Sequence, residues 1–180
     1  MSALLLLLTA ACTGNPDTKD SEGPIDSAEP KPTEACGYTP MPDQDPAENV
    51  VEVTVIASQF AWDPGTGVPL ETGMAFNDTV PGPLLEAKLG DTVKVHYTNN
   101  TDMDTSLHWH GLRVTPEMDG IQQMMGDPVE PGESFEYEFT VVDSGFYWFH
   151  THMDTATTIE AGLYAPIILH APDELSPDCD

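Results

Sequence analysis

Two pairs of histidines have the residue types and the spacing for metal chemistry. His150 and His152 flank one threonine in "WFHTH", and His108 and His110 flank one tryptophan in "LHWHG". Alternate side chains of a β-strand point to the same face, so the imidazoles of each pair would project together, roughly 7 Å apart at the backbone. If a β-sandwich places the two strands side by side, four imidazoles converge on one patch.

Such a patch of neutral imidazoles predicts a transition-metal site. Imidazole binds copper, zinc, iron and nickel, and an oxidising compartment outside the cytoplasm favours copper or zinc. For one pair alone, exposed or capping histidines are the simpler interpretation. Both pairs lie beside aromatic residues that can exclude water, which favours a metal site. His96 and His170 have no such partner in the sequence, and we predict that both are solvated.

Three segments that must carry or support these histidines alternate apolar and polar residues with period two. They are residues 50–57, 91–99 and 134–142, and each is predicted to be a half-buried strand. Turn clusters such as "DPGTG", "TNNTD" and "EPGES" separate the strands. Short strands with turns at this spacing indicate an antiparallel sandwich or a small barrel. No segment shows a convincing amphipathic helix pattern or a phosphate-binding glycine loop.

The composition limits the size of the fold and the choice of partners. The 180 residues suffice for one domain with appendages. Five Lys and Arg residues against 31 Asp and Glu residues give a net charge of −26. Such a surface repels phosphate backbones, so nucleic acid is excluded as a partner. Most of this charge is interpreted as a solvated coat that keeps the protein soluble.

The N-terminus, "MSALLLLLTAACTG", carries an apolar run much shorter than the roughly 20 residues that span a bilayer. It resembles a bacterial lipoprotein signal peptide over residues 1–11, with Cys12 as the acylated residue. An ordinary cleaved signal peptide is the alternative, and both imply export. We therefore predict a protein of the bacterial cell envelope, periplasmic or at the outer membrane, that is attached to the membrane through a lipid on Cys12.

The remaining chain divides into three parts. Residues 12–48 are rich in Pro, Asp, Glu, Ser and Thr, which predicts a flexible acidic tether. The folded domain is predicted over residues 49–175, followed by a tail at residues 176–180. Cys36 and Cys179 either form a disulfide, worth on the order of 4–5 kcal/mol in the chain-entropy model, or remain free thiols.

Several motifs together resemble one known family. They are "VPGPLLEAKLGDTVKVHYTNN", "SLHWHGLRV", "EMDGI", "VEPGESFEYEF", "GFYWFHTH" and "GLYAPIIL". In order and spacing they resemble the first cupredoxin domain of a multicopper oxidase, of the laccase-like superfamily, from about Asn77 to about Pro172. The resemblance implies an all-β fold, an antiparallel Greek-key β-sandwich of cupredoxin (plastocyanin-like) type, and copper as cofactor.

The resemblance also implies roles for the four histidines. His108 resembles the ligand of a type 2 copper, and His110 and His150 resemble ligands that share one type 3 copper. His152 resembles a ligand of the second type 3 copper. In the family, such a trinuclear copper cluster reduces oxygen to water with electrons from a separate type 1 copper.

Neighbouring residues have implied roles as well. Asp119, in "MDG", resembles the carboxylate that assists proton delivery near the cluster; capping the turn before Gly120 is its alternative role. Trp109, Trp148 and Phe149 are expected either to wall the site or to pack in the core.

The resemblance covers only part of what an oxidase needs. In the family a later domain supplies the other half of the cluster, and the type 1 copper needs a cysteine flanked by histidines. The cysteines of this chain, Cys12, Cys36 and Cys179, have no histidine neighbours. We therefore expect this chain to supply four histidines, half of the site, to lack the type 1 centre, and to show no laccase activity alone. A second cupredoxin chain or a homo-oligomer would complete the cluster.

Two other functions remain open from the sequence. The first is a lipid-anchored copper-binding or relay protein without oxidase activity, in which methionines assist the four histidines, namely Met118, Met124, Met125 and Met153. The second is the product of a truncated oxidase gene that folds without catalysing a reaction.

Overall fold

The structure of the protein is a computed structural model that describes residues 37–172. The predicted signal peptide, the tail and the greater part of the tether lie outside the described residues, and so do Cys12, Cys36 and Cys179. Within the described part of the chain, no helix is long and apolar enough to cross a membrane.

Within residues 37–172, eight strands form two four-stranded sheets. They are β1 (Val50–Gln59), β2 (Met74–Phe76), β3 (Leu85–Lys88), β4 (Thr92–Asn100), β5 (His108–His110), β6 (Ser134–Thr140), β7 (Gly145–His150) and β8 (Tyr164–His170). The first sheet has the order β2-β1-β4-β6, and the second has the order β3-β8-β7-β5. Two short helices, α1 (Gln122–Met125) and α2 (Thr155–Ala161), and a 3-10 turn at Pro116–Met118 lie in the connections.

The period-two pattern of the sequence places one face of each predicted strand in the core. The three predicted segments become β1, β4 and β6. Their inward residues include Val53, Val55, Val95 and Tyr137, each 1 % exposed or less. Burial of this apolar surface, at about 25 cal/mol per Å², is the main force that holds the two sheets together.

The predicted sandwich is confirmed, although its sheets are mixed rather than wholly antiparallel. Strand β1 pairs with β4 in parallel, and β3 pairs with β8 in parallel, while the other four strand pairs are antiparallel. Parallel neighbours need a crossover connection. The chain provides one between β1 and β4 by passing through β3 in the opposite sheet.

The packed part of the chain begins earlier than the predicted tether of residues 12–48 allows. Leu84 N–H donates to the carbonyl of Thr39, and Met41 N–H donates to the carbonyl of Leu84. The side chain of Met41 is 8 % exposed and belongs to the core. The packing of Met41 and Tyr38, together with a strand-like bridge at Pro40, thus fixes a segment whose composition is otherwise typical of a tether.

Helix α2 is absent from the sequence prediction. Its sequence, "TATTIEA", has no stripe of large apolar residues at helical spacing, and only Thr158 and Ala161 are buried. Gly162 ends the helix with a φ of +125°, a conformation that favours glycine. The helix forms because the sandwich packs it against β2, not because its own pattern favours it.

Candidate metal centre

The pairing of β5 with β7 brings the two histidine motifs together. In this antiparallel pair, His108 lies opposite His150, and Trp109 lies opposite Phe149. Trp109 and Phe149 are both 0 % exposed and face the core. Because successive residues of a strand face opposite sides, the histidines of both strands lie on the outer face of the sheet.

Three imidazoles converge on that outer face. One ring nitrogen from each of His108, His110 and His150 lies within 4.8 Å of the other two. The separation between His110 Nδ1 and His150 Nε2 is 3.2 Å. Two nitrogens bound to one metal at about 2.0 Å, with a near-tetrahedral angle, would be about 3.3 Å apart. The chemistry and the spacing of these nitrogens therefore fit a transition-metal ion.

His152 lies beside this group rather than within it. Strand β7 ends at His150, so His152 follows the strand instead of sharing it. The ring centroid of His152 is 5.1 Å from that of His108 and 6.2 Å from that of His150. Its backbone N–H donates to Ser106 Oγ at 3.3 Å. We refer to His108, His110, His150 and His152 together as the histidine cluster.

Backbone carbonyls fix the orientation of two rings in the cluster. His108 Nδ1 lies 2.7 Å from the carbonyl oxygen of Asp119, and His150 Nδ1 lies 2.8 Å from that of Thr151. A carbonyl oxygen only accepts, so Nδ1 carries the hydrogen in both neutral rings and Nε2 keeps its lone pair. Outer contacts of this kind hold histidine ligands in the tautomer that a metal ion requires.

Burial keeps the central imidazole uncharged. Burial is the largest cause that lowers the pKa of His150, the hydrogen bond to the Thr151 carbonyl opposes it, and nearby His108, His110 and His152 add to the lowering. Together these effects bring the pKa of His150 to about 4. His150 is therefore neutral at pH 7. A metal ligand must be deprotonated at the binding nitrogen, so this residue is prepared for binding without a proton to displace.

Asp119 contacts the cluster through its main chain. Its carboxylate Oδ2 is 3.6 Å from His108 Nδ1, whereas its carbonyl oxygen is 2.7 Å from the same nitrogen. Asp119 also ends the 3-10 turn, where its N–H donates to the carbonyl of Pro116. The structure thus brings Asp119 to the cluster, and its role in proton delivery stays a prediction.

The following glycine permits this approach. Gly120 has a φ of +76°, and a Cβ atom at this position would lie 1.7 Å from the carbonyl oxygen of Leu107. Only glycine allows the two backbones to come so close. Gly120 therefore lets the Asp119 carbonyl reach His108.

Of the three aromatic residues considered for the site, only Trp148 lies against the histidines. Its ring centroid is 4.9 Å from that of His110 and 4.2 Å from that of His150. Trp109 and Phe149 have the alternative role, since they pack in the core. Trp109 also donates its indole N–H to the carbonyl of Met118 at 2.9 Å.

The other two described histidines lie apart from the cluster and bind carboxylates. The side chain of His96 is 38 % exposed, and its Nε2 lies 2.7 Å from Glu52 Oε1. The side chain of His170 is 12 % exposed, and its Nε2 lies 2.6 Å from Glu86 Oε1. The prediction that His170 is solvated is wrong, because its ring is mostly buried and hydrogen-bonds to Glu86 of the neighbouring strand β3.

The methionines considered as auxiliary ligands have other environments where the structure describes them. Met118 packs against the core, and its Sδ accepts a hydrogen bond from Glu138 N–H at 3.4 Å. The side chain of Met124 is 49 % exposed on α1.

Sequence reasoning missed the groups that support the histidines. Ser106 lies two residues before His108 but outside β5, so strand alternation does not assign it to the face of that histidine. The carbonyls of Asp119 and Thr151 carry no side-chain signal in a sequence. Their roles depend on the path of the backbone, which only the structure shows.

Comparison with known proteins gives one consistent result. The Cu-oxidase_3 family model, described as multicopper oxidase, matches residues 60–174. Laccase-1 of Cryptococcus neoformans var. neoformans is 46% identical over 101 residues, which cover 54% of this chain and 16% of that protein. Copper resistance protein A of Pseudomonas syringae pv. tomato is 40% identical over 102 residues, which cover 57% of this chain and 16% of that protein.

The fold is similar to that of solved structures with the same description. A multi-copper oxidase from Pseudomonas thermotolerans superposes with a TM-score of 0.67 and 30% identity, over 71% of this chain and 31% of that chain. This likeness supports the cupredoxin type of the sandwich. The present chain thus corresponds to about one sixth of the length of the two curated relatives.

Proposed function

The chain belongs to the multicopper oxidase family, and on that premise we propose that its histidine cluster binds copper as half of a trinuclear site for oxygen reduction. Copper is the cofactor that the family implies. The observation that carries the proposal is the convergence of three ring nitrogens, from His108, His110 and His150, within 4.8 Å of one another.

Each residue of the cluster has a proposed part in holding copper. His108 binds a type 2 copper through Nε2, because its Nδ1 is occupied by the Asp119 carbonyl. His110 and His150 share one type 3 copper, which the 3.2 Å separation of their nitrogens supports. His152 binds the second type 3 copper. When bound, copper supplies electron transfer to oxygen, and Trp148 covers the ligands that it stacks on.

The remaining ligands of the cluster are proposed to come from a second cupredoxin chain or a second copy of this chain. The type 1 centre is proposed to come from a second cupredoxin chain, because no cysteine of this sequence is flanked by histidines. The outer face of the histidine sheet supports this arrangement. His110 is exposed there, and Phe146, on the same face of β7, is 68 % exposed. A partner on this face would cover an apolar ring and face the open side of the cluster.

Copper titration of the full chain tests the proposal. The wild type is expected to bind Cu(II) with a stoichiometry that the His108→Ala/His150→Ala double variant loses. A His96→Ala/His170→Ala double variant is the matched control, because it removes two imidazoles outside the cluster. Metal analysis by mass spectrometry gives the stoichiometry. Equal copper content in the two double variants would disprove copper binding by the cluster.

A copper-binding or relay protein without oxidase activity is the second candidate. The convergence of three nitrogens within one chain favours it, since a single copper ion needs no partner there. A relay protein must release its metal, so bound copper should pass to a competing chelator within seconds. Copper that stays bound for hours, and is reduced and reoxidised in place, would favour the oxidase component.

We further propose export and attachment to the membrane of a bacterial cell envelope through a lipid on Cys12. The support is the apolar run and the small residues before this cysteine in the sequence. Mass spectrometry of the protein from native membranes is expected to show an acylated Cys12 as the first residue. A mature chain that retains residues 1–11, or starts elsewhere without a lipid, would contradict this proposal.

A further inference from the structure

Two tyrosine hydroxyls tie the segment that leads into β5 to the opposite sheet. The hydroxyl of Tyr97, in β4, lies 2.5 Å from Thr105 Oγ1. The hydroxyl of Tyr137, in β6, accepts the N–H of Leu107 at 2.9 Å. Strands β4 and β6 belong to one sheet and β5 to the other. Both hydrogen bonds therefore join the first sheet to the segment that leads into the second.

These hydrogen bonds are shielded from water. Tyr97, Thr105 and Leu107 are 0 % exposed, and Tyr137 is 1 % exposed. Burial raises the pKa of both phenols, so both hydroxyls keep their hydrogen. Water cannot replace a partner lost at such a position, and the segment would have to move to satisfy the orphaned group.

The same segment touches both histidine pairs on its other side. Leu107 is followed directly by His108, and Ser106 Oγ accepts the backbone N–H of His152 at 3.3 Å. The two tyrosine contacts, at Thr105 and Leu107, lie on either side of Ser106 in the sequence. A displacement of this segment would therefore move one imidazole from each pair.

Strand β5 is held in its own sheet by a short ladder, to which the buried ring of Trp109 and the two backbone hydrogen bonds between Thr105 and Val129 add. It is three residues long, and its ladder to β7 has three residue pairs. A metal site needs its ligands within about 0.5 Å of the productive geometry. The hydroxyls of Tyr97 and Tyr137 supply fixed points that such a short ladder does not.

We propose that Tyr97 and Tyr137 are positioning residues for the metal centre, which set His108 and His152 relative to His150 from the opposite sheet. The proposal rests on the proposed function for its connection to copper. The placement of the imidazoles, however, is a property of the metal-free chain and can be measured without copper.

Tyr137→Phe in the full chain tests the placement, with Tyr147→Phe as the matched control. The Tyr147 hydroxyl donates to the Ser144 carbonyl at 3.2 Å, away from the segment before β5. Nitrogen-15 NMR of the histidine side chains, without metal, is the first readout. Tyr137→Phe is expected to shift the ring signals of His108 and His152 and to leave that of His170 in place. The control, Tyr147→Phe, is expected to leave the ring signals of both His108 and His152 in place.

Copper binding is the second readout. Tyr137→Phe is expected to weaken Cu(II) binding about 10-fold and to change the hyperfine splitting of the bound ion in electron paramagnetic resonance. Val53→Ala, a cavity variant in the core of β1, lowers stability and removes neither tyrosine hydroxyl. It is expected to keep the wild-type splitting, which separates positioning from a general loss of stability.

Each outcome decides the proposal. Unchanged signals of His108 and His152 in Tyr137→Phe would overturn it, and so would equal changes in Val53→Ala. If Tyr137→Phe does not fold, Tyr97→Phe tests the same segment through Thr105, with the same expected shifts. If the wild type binds no copper, the proposed function fails, while the imidazole signals still decide whether the tyrosines set the histidines.

Discussion

At the residue scale, main-chain contacts orient two imidazoles of the histidine cluster. His108 and His150 are both held at Nδ1 by a carbonyl oxygen, and neither bond needs a particular side chain at the accepting residue. The histidine spacing could therefore be predicted from the sequence, whereas the tautomers could not. The same holds for the aromatic residues. Trp109 and Trp148 both lie near histidines in the sequence, but the sequence does not show which of the two rings faces the cluster.

Asp119 allows a test of this main-chain role. Asp119→Asn keeps the carbonyl that His108 Nδ1 contacts and removes only the carboxylate charge, 3.6 Å from that nitrogen. Copper affinity is expected to change less than about threefold, because a main-chain contact is preserved. Isothermal titration with Cu(II) measures the change. A loss of about tenfold or more would show that the carboxylate itself supports the ligand.

Gly120→Ala is expected to be far more harmful. The added Cβ would meet the Leu107 carbonyl at 1.7 Å, and the φ of +76° is unfavourable for alanine. Gly132→Ala is the matched control, since Gly132 has a φ of +85° and no atom within 4 Å of an added Cβ.

Backbone strain costs roughly 1–3 kcal/mol at either position, and the clash adds to this cost only at Gly120. Urea unfolding of both variants gives the two free energies. We expect Gly120→Ala to lose more stability and to bind copper more weakly than Gly132→Ala. Equal free energies of unfolding would show that the approach of the two backbones is not tight.

At the element scale, the strands that could be predicted from the sequence are those with one solvent-exposed face. Strands β1, β4 and β6 alternate visibly because their outer face is solvated. Strand β8 has mostly buried residues on both faces, and its "APIIL" run does not alternate. The parallel pairing of β1 with β4 also has no local signal, since it depends on how the chain crosses between the sheets.

The outer face of the first sheet carries a pH-dependent cross-strand contact. His96, in β4, bonds to Glu52 of β1 and contacts Glu136 of β6. The hydrogen bond to Glu52 is the largest cause that raises the pKa of His96 above its usual value. Desolvation opposes this rise, and the charge of Glu136 adds to it. The protonated ring is thus favoured in the folded state, so its stabilisation is complete below pH 6.5 and is lost as the pH rises through the raised pKa.

We expect His96→Gln to destabilise the domain more at pH 5.5 than at pH 8.5. The ring is partly exposed, so solvent screening limits the difference to less than about 1 kcal/mol. Urea unfolding of wild type and variant at both pH values measures it, and the subtraction cancels groups that titrate in both proteins, such as His150. A variant that is equally destabilised at the two values would contradict the raised pKa.

At the scale of the whole molecule, the acidic charge and the face that carries the histidine cluster have opposite effects on association with other chains. The net charge of −26 is spread over the sequence, while the face that carries the cluster also presents Phe146 and Trp148. Repulsion between acidic copies disfavours unspecific association. An apolar ring beside the cluster provides a local surface on which a specific partner can overcome that repulsion.

The purified chain alone is expected to show no oxidation of a phenolic dye in the presence of copper and oxygen. The four histidines of the cluster are proposed to be half of the ligands of the trinuclear copper site. Electrons from a substrate would reach that site through a type 1 centre. Spectrophotometry with oxygen consumption measures turnover, and a two-domain laccase serves as the positive control. Sustained turnover by a monomer, verified by sedimentation, would overturn the proposal of a half site.

The alternation of β5 and β7 separates two requirements that many metalloproteins combine in the same side chains. Trp109 and Phe149 contribute to the interior, while the imidazoles beside them in sequence project from the reverse side of the same backbone. An engineer could therefore exchange a ligand for another donor, such as His110 for a carboxylate, and retune the metal preference without rebuilding the interior.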